Sequence, residues 1–147
     1  LFTIAKDVKL QVEFNPTKVK AYRLIGYENR LLRDEDFNND KKDAGDLGSG
    51  HTVTALYEVI PVGVESEFFQ IDPLKYQTTR VDVDAKKSNE WMTVKFRYKK
   101  PDERVSKLMV HSLKDEGKPA STSENFRWAA AVAGFGMLLR DSEYVKG

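Results

Sequence analysis

The chain contains no cysteine, which excludes disulfide bonds and thiolate metal sites. Its 24 basic and 23 acidic residues nearly balance, giving a net charge of +1, and the two signs are interspersed. Nucleic-acid-binding domains usually carry a basic stripe that neutralises phosphates, and this sequence has none. We therefore expect no nucleic-acid partner and no disulfide framework.

Long apolar runs are also missing. The longest runs from Trp128 to Leu139, whereas a helix needs about 20 residues to cross the roughly 30 Å core of a bilayer. No basic segment with an apolar core opens the chain, so no signal peptide is predicted. We expect no direct membrane insertion. The start at Leu1, inside a strand-like pattern, is interpreted as the start of a C-terminal piece of a longer protein.

The motifs of common catalytic and cofactor sites are absent as well. The sequence has no GxSxG motif, no phosphate loop with its lysine, and no HxH or HxxxH pair. Its two histidines, His51 and His111, lie at predicted strand positions, where a structural or exposed role is expected. We predict no catalytic, cofactor-binding or metal-binding residues, no cofactor and no enzyme activity.

The acidic loop at 34–46 raises the question of calcium binding. Asp36 and Asn38 fit positions 3 and 5 of an EF-hand loop that would start at the first residue of this segment. However, Asn39 stands where glycine is needed, and Gly45 where glutamate is needed. A solvated loop is the expectation, and calcium binding stays open.

Most of the chain is patterned for β-strands. Phe2–Phe14 alternates apolar and polar residues except at Lys6, which predicts a long strand with a bend or bulge near that residue. Residues 28–50 are predicted to form a long surface loop, and 72–87 an irregular segment. The other predicted strands are Val19–Tyr27, in a hairpin with the first strand, His51–Ile60, Glu67–Ile71, Trp91–Tyr98 and Val105–Leu113.

One long helix is predicted from Ser121 to Asp141. Ser121 and Glu124 have the spacing of a capping box. Apolar residues recur around most of the circumference, so we expect most of the helix surface to be buried. Gly134 and Gly136 each cost about 1 kcal/mol relative to alanine, and we interpret them as allowing close approach to a sheet. On this interpretation, Gly134→Leu destabilises the protein by overpacking.

Several short strands without alternating helices predict a mainly β, antiparallel, sandwich-like fold. The C-terminal helix is expected to pack on the sheet, so α+β is an alternative label. With 147 residues, the chain is predicted to form a single domain, 1–147. Aromatic residues on the strands could form a stacking platform, but their alternation with polar residues favours core packing: Tyr22, Tyr27, Tyr57, Phe96 and Tyr98.

Long segments distributed over nearly the whole chain carry a family resemblance. They are Ile4–Pro16, Val19–Arg30, Asp43–Gly45 with Gly50–Glu58, Lys95–Lys99 with Pro101, and Phe126–Ser142. Together they resemble the C-terminal domain of bacterial YfbK-like proteins that contain a von Willebrand factor type A domain. The resemblance implies a β-rich accessory domain of an envelope-associated binding protein, often a lipoprotein, in which the type A domain lies upstream.

The resemblance assigns no catalytic residues. The Asp-x-Ser-x-Ser run with which type A domains hold Mg²⁺ is absent from this sequence, so no metal site carries over. We predict a non-catalytic binding module in the cell envelope whose partners are other proteins and the upstream type A domain.

The partner surface is expected at the loops 28–50 and 72–88. Deletion of Asp34–Asp46 is expected to spare folding and to reduce partner capture. Two alternatives are a carbohydrate-binding module and a hydrolase that uses scattered carboxylates with His51.

Overall fold

The computed structural model describes residues 2–27, 31–66, 81–117 and 121–145. This part of the chain is mainly antiparallel β with one long C-terminal helix, as the sequence predicts. A 3-10 turn covers Asp34–Asp36, and the helices are α1 (Val83–Lys87) and α2 (Glu124–Leu139). The strands are β1 (Thr3–Phe14), β2 (Val19–Ile25), β3 (Gly45–Gly48), β4 (Leu56–Pro61), β5 (Glu90–Lys99) and β6 (Lys107–Lys114).

The strands form two sheets, one in the order β3-β1-β5-β6 and one in the order β2-β4. The predicted hairpin between the first two strands is therefore wrong, because β1 pairs with β3 and β5 and the turn after it leads into the other sheet. The side chain of Asn15 stabilises this turn. Its side-chain amide donates to the carbonyl oxygens of Ala85 and Glu90 at 3.2 and 2.9 Å, and its Oδ1 accepts from the Thr17 N–H.

β1 contains the bulge that the sequence predicts near Lys6. Asp7 has a left-handed backbone, with φ at 48°, and the pairing with β5 slips between Lys6 and Lys9. A bulge of this kind redirects a side chain locally. Here it turns the Asp7 carboxylate toward Lys99 on β5.

Aromatic rings join the two sheets. The ring centroid of Phe14 on β1 lies 4.4 Å from that of Tyr22 on β2 and 5.6 Å from that of Tyr57 on β4. Side chains alternate along a strand, so Arg23 and Glu58 project from the opposite face of the two-stranded sheet, where Arg23 contacts α2. The two-stranded sheet therefore contacts the end of β1 through aromatic rings on one face and α2 through Arg23 on the other.

The segment predicted as a surface loop over 28–50 contains more structure than expected. Its described part includes the 3-10 turn, β3 and the buried Phe37. The strand predicted over His51–Ile60 begins only at Leu56, because 51–55 follow the turn at Gly50 without pairing. The segment expected to be irregular contains α1, and the predicted strand Glu67–Ile71 lies outside the described residues.

The start of α2 also differs from the prediction. Ser123, and not Ser121, is the N-cap, since its hydroxyl accepts from the Phe126 N–H at 3.1 Å. Glu124 is thereby the first helical residue, where its negative charge interacts favourably with the positive end of the helix dipole. At the other end, Asp141 adopts a left-handed φ of 49° and terminates the helix.

The expectation that most of α2 is buried is wrong. No residue of the helix is buried. A Cβ atom added at Gly134 or Gly136 would meet nothing within 4 Å, so the interpretation of these glycines as points of close approach is wrong too. The expectation that Gly134→Leu destabilises the protein by overpacking is therefore wrong as well.

We instead expect Gly134→Ala to raise the free energy of unfolding by about 0.5–1 kcal/mol, because alanine favours the helix and has space there. Urea unfolding followed by circular dichroism measures this change. Gly63→Ala is the matched control: it too has space, but its φ of 88° strains any L residue, so stability should fall. A loss of stability in Gly134→Ala would contradict the open environment of α2.

Candidate functional site

The outer side of α2 is an apolar stripe. Trp128, Val132, Phe135 and Leu139 are spaced by four, three and four residues, so they lie along one side of the helix. They are 73, 52, 62 and 72% exposed, respectively. We call these four residues the α2 stripe. No helix in the described part of the chain has the length and apolar content needed to cross a bilayer.

The inner side of α2 consists of smaller residues. Ala129, Ala133 and Gly136 lie on an adjacent side of the helix, turned by roughly 70–130° from the α2 stripe, and are partly covered. Met137 lies on the same side and reaches β2, with its Sδ 3.4 Å from Nη2 of Arg23. The helix thus turns small residues toward the domain and large apolar residues toward solvent. A helix that served only its own domain would have the reverse arrangement.

Arg23 supports this contact from the two-stranded sheet. Its guanidinium carbon lies 4.0 Å from the ring centroid of Tyr144, and its Nε donates to Oε2 of Glu58 at 2.6 Å. A cavity of about 550 Å³ opens between β2 and the C-terminal end of α2, with Arg23 in its lining. Because Glu58 already pairs with Arg23, we assign no anionic ligand to this cavity.

Two buried lysines lie beneath the 33–46 loop. Lys9 on β1 is 3% exposed, and Lys99 on β5 is 8% exposed. The Lys9 Nζ donates to the carbonyl oxygens of Asp36 at 3.0 Å and of Asn39 at 2.5 Å. Burial of an ammonium group is costly unless acceptors replace the water it loses. The loop backbone supplies these acceptors for Lys9.

Lys99 has a carboxylate partner as well. Its Nζ donates to Oδ2 of Asp7 at 2.6 Å and to the carbonyl oxygen of Asp40 at 2.7 Å. The hydrogen bond from Lys99 is the main cause that lowers the pKa of Asp7 below its usual 3.8, and the Ala44 N–H also contributes. We call Lys9, Lys99 and these acceptors the lysine clamp.

Arg97, the neighbour of the clamp on β5, fastens the same loop to the turn before β6. Its Nη1 donates to Oγ of Ser106 and its Nη2 to Oδ1 of Asn38, both at 2.9 Å. The Ser106 N–H donates to Oδ2 of Asp40, with 3.3 Å between the nitrogen and the oxygen, and hydrogen bonds from Ser106 lower the pKa of Asp40. The loop is therefore attached to β1, to β5 and to the approach to β6.

These contacts change the interpretation of the acidic loop. In the EF-hand register considered above, the backbone ligand at position 7 would be the carbonyl oxygen of Asp40, and it accepts instead from Nζ of Lys99. The neighbouring carbonyl oxygens of Asp36 and Asn39 accept from Nζ of Lys9. Within the described residues, no group of three or more histidines, cysteines or carboxylates is placed to hold a metal ion. Deletion of Asp34–Asp46 would remove these acceptors from two buried lysines, so the expectation that the deletion spares folding does not hold.

The other sequence-predicted positions do not converge on one site in the described part of the chain. His51 is exposed after β3, and His111 is exposed on β6. Of the predicted partner loop 72–88, only 81–88 is described, and it contains α1. The sequence pattern predicts neither the α2 stripe nor the lysine clamp as a site. The clamp does not show in the pattern because Lys9 occupies an ordinary polar position of a predicted strand and Lys99 belongs to a predicted turn.

The comparison with known proteins agrees with the resemblance. A family model described as "Uncharacterized protein YfbK, C-terminal" matches residues 1–147. The chain belongs to this family. The "Uncharacterized protein YfbK" of Escherichia coli (strain K12) is 44% identical over 146 residues, which is 99% of this chain. The chain spans 24% of that relative, about a quarter of its length. No solved structure matches the chain.

The lysine clamp predicts that Lys99→Met lowers the free energy of unfolding by about 2–3 kcal/mol, because Asp7 then stays largely buried without its cation. Lys20→Met, at an exposed position of β2, should change it by less than about 0.5 kcal/mol. Replacing both partners, in Lys99→Met/Asp7→Asn, should recover part of the loss, because asparagine is uncharged and also tolerates the left-handed φ of 48°. If Lys99→Met and Lys20→Met unfold at the same urea concentration, the clamp does not stabilise the fold.

Three carboxyl groups with lowered pKa predict acid sensitivity. Lys99 lowers the pKa of Asp7, Ser106 that of Asp40, and Lys18 that of Asp115. Their stabilising effect is complete above the unfolded-state pKa, near 3.8, and is lost as the pH falls through the lower folded-state values.

Thermal unfolding should therefore show a Tm that falls steeply below about pH 4. Asp7→Asn should melt below the parent protein at pH 7 and should approach it at the acid end, because the group that titrates is gone. A parallel pair of Tm curves over the whole range would exclude Asp7 as a source of the pH dependence.

Proposed function

We propose that this domain is a non-catalytic docking module that packs, through the α2 stripe, against the rest of a longer polypeptide. The observation that carries the proposal is the orientation of α2, with Ala129, Ala133 and Gly136 on the domain side and the α2 stripe in solvent. Single exposed apolar residues are normal on a protein surface, but a continuous row along one helix is typical of an interaction site.

The stripe is large enough for an apolar contact. Complete burial of one such side chain stabilises by about 1.5–3 kcal/mol. Since the four residues of the stripe are already about a quarter to a half covered, covering the remainder would contribute on the order of 5 kcal/mol before the costs of association. This is a modest energy for two separate proteins and an ample one for two parts of one chain.

The rest of the polypeptide is the occupant that the comparisons support best. The chain matches 24% of its E. coli relative, so most of that protein lies outside the matched region. A covalent connection raises the effective concentration of the partner to about the millimolar range for a short linker. The sequence resemblance adds the expectation that the facing surface belongs to a type A domain in the cell envelope, which would present the assembled pair to protein partners.

The proposal can be tested in the full parent polypeptide with a protease site introduced just upstream of Leu1. After cleavage, size-exclusion chromatography should show the two fragments eluting together, because the α2 stripe holds them. Trp128→Glu/Phe135→Glu should separate them. Val53→Glu is the matched control, since Val53 is 63% exposed but lies outside the stripe, and this variant should leave the fragments together.

Far-ultraviolet circular dichroism of each variant verifies that the domain is folded. If the unsubstituted fragments separate after cleavage, the rest of the polypeptide does not cover α2. If the fragments stay together in spite of the two glutamates, the contact exists but does not use the α2 stripe. Either result contradicts the proposal.

A further inference from the structure

The cavity at the C-terminal end of α2 lies beside the α2 stripe. Its volume of about 550 Å³ is within the range of protein pockets that hold a ligand. Ala133, Gly136 and Met137 line it from α2, and Ile25 and Gly26 line it from the end of β2. Most of these residues are apolar or have no side chain, so the cavity suits an apolar group.

Two glycines keep this space open. Gly26 has a φ of 77°, which strains an L residue, so the turn after β2 itself requires glycine. Gly136 has no such requirement, because it lies inside a helix, where alanine is more stable, and a Cβ atom there would meet nothing within 4 Å. The packing of this domain therefore does not call for glycine at position 136, whereas a group that enters the cavity from outside would use the space.

The cavity also borders the α2 stripe. Gly136 follows Val132 by four residues and precedes Leu139 by three, and residues at these spacings are neighbours on a helix surface. Val132 and Leu139 are 52 and 72% exposed, respectively. A surface that covers the C-terminal half of the stripe therefore reaches the border of the cavity.

The charges in the lining favour a neutral occupant. Arg23 and Arg140 are balanced by Asp141 and Glu143, and Arg23 is already paired with Glu58. The lining thus has no excess of either sign. An ionic group that entered it would lose water without gaining a partner of opposite charge, which is costly.

We infer, on the basis of the proposed function, that this cavity receives a bulky apolar side chain from the part of the longer polypeptide that covers the α2 stripe. That part is available as an occupant because the chain spans only 24% of its E. coli relative. A few side chains that fill well-packed pockets usually provide most of the affinity of an interface. The cavity is thereby the anchor of the contact, and the α2 stripe is the apolar surface beside it.

Gly136→Leu tests this assignment in the cleaved parent polypeptide. The leucine would occupy part of the cavity, has space for its Cβ atom and favours the helix, so the domain should unfold at an equal or higher urea concentration. The two fragments, diluted in steps and followed by size-exclusion chromatography, should separate at a concentration at least about tenfold higher than the unsubstituted fragments. Gly136→Ala, with a smaller side chain, should have a smaller effect in the same direction.

Gly134→Leu is the matched control. It replaces a glycine of the same helix that also has space for a Cβ atom, but Gly134 does not line the cavity and is turned by roughly 130° from the α2 stripe. Its fragments should separate at the same concentration as the unsubstituted ones.

The outcomes distinguish the cavity from the stripe. If Gly136→Leu and Gly134→Leu separate at the same concentration, while Trp128→Glu/Phe135→Glu separates the fragments as before, the cavity is not the anchor and the stripe still docks. If the unsubstituted fragments separate after cleavage, neither surface is covered by the rest of the polypeptide. Unfolding of Gly136→Leu at a lower urea concentration would also overturn the assignment, because the leucine would then meet atoms of its own domain.

Discussion

Two buried ammonium groups are the constraint on which this domain depends. Lys9 and Lys99 lie on neighbouring strands in the middle of the four-stranded sheet, where an unpaired charge would be strongly destabilising. The backbone of the 33–46 loop and the Asp7 carboxylate supply their acceptors. If the loop moved away from the sheet, the two ammonium groups would lose their acceptors while still largely buried. A segment rich in polar residues is therefore a fixed part of the fold.

This arrangement also explains the irregular course of β1. Asp7 adopts a positive φ, which is unfavourable for a residue with a side chain. Its carboxylate accepts from Lys99 and from the Ala44 N–H, while its own N–H donates to Oδ1 of Asp46 at 3.2 Å. The local strain is offset by three contacts that orient the loop. The loop thereby covers the face of the sheet that carries Lys9 and Lys99, and the ring centroid of its buried Phe37 lies 5.5 Å from the guanidinium carbon of Arg97 on that face.

The sequence predicts those features that follow from local pattern. The alternation in β1 and β5, the bulge near Lys6 and the existence of a C-terminal helix all follow from periodicity, because the period of apolar residues is set by the backbone geometry of each element. The pairing of β2 with β4 does not follow, because a short turn favours a hairpin and nothing local shows that Asn15 bonds to β5 and α1 instead.

The orientation of α2 could not be predicted from the sequence for a related reason. Both sides of this helix are apolar, one with Ala and Gly and the other with Trp, Phe, Val and Leu, so hydrophobicity alone does not select the inward side. Side-chain size predicts the wrong orientation of α2, since larger apolar side chains usually face a core. The clamp is equally hidden, because a lysine at a polar strand position is normally solvated, and only the fold brings the loop carbonyls to it.

The outward orientation of the α2 stripe is measured most directly through Trp128. In a Trp91→Phe variant, Trp128 is the only tryptophan, because the sequence contains two. Acrylamide quenching of its fluorescence should be nearly as efficient as for free tryptophan in the 147-residue chain. It should be several-fold weaker in the longer polypeptide proposed above, once every tryptophan outside these 147 residues is also replaced by phenylalanine. Strong protection in the 147-residue chain would show that the large residues of α2 face the domain, and equal quenching in both proteins would show that nothing in the parent covers them.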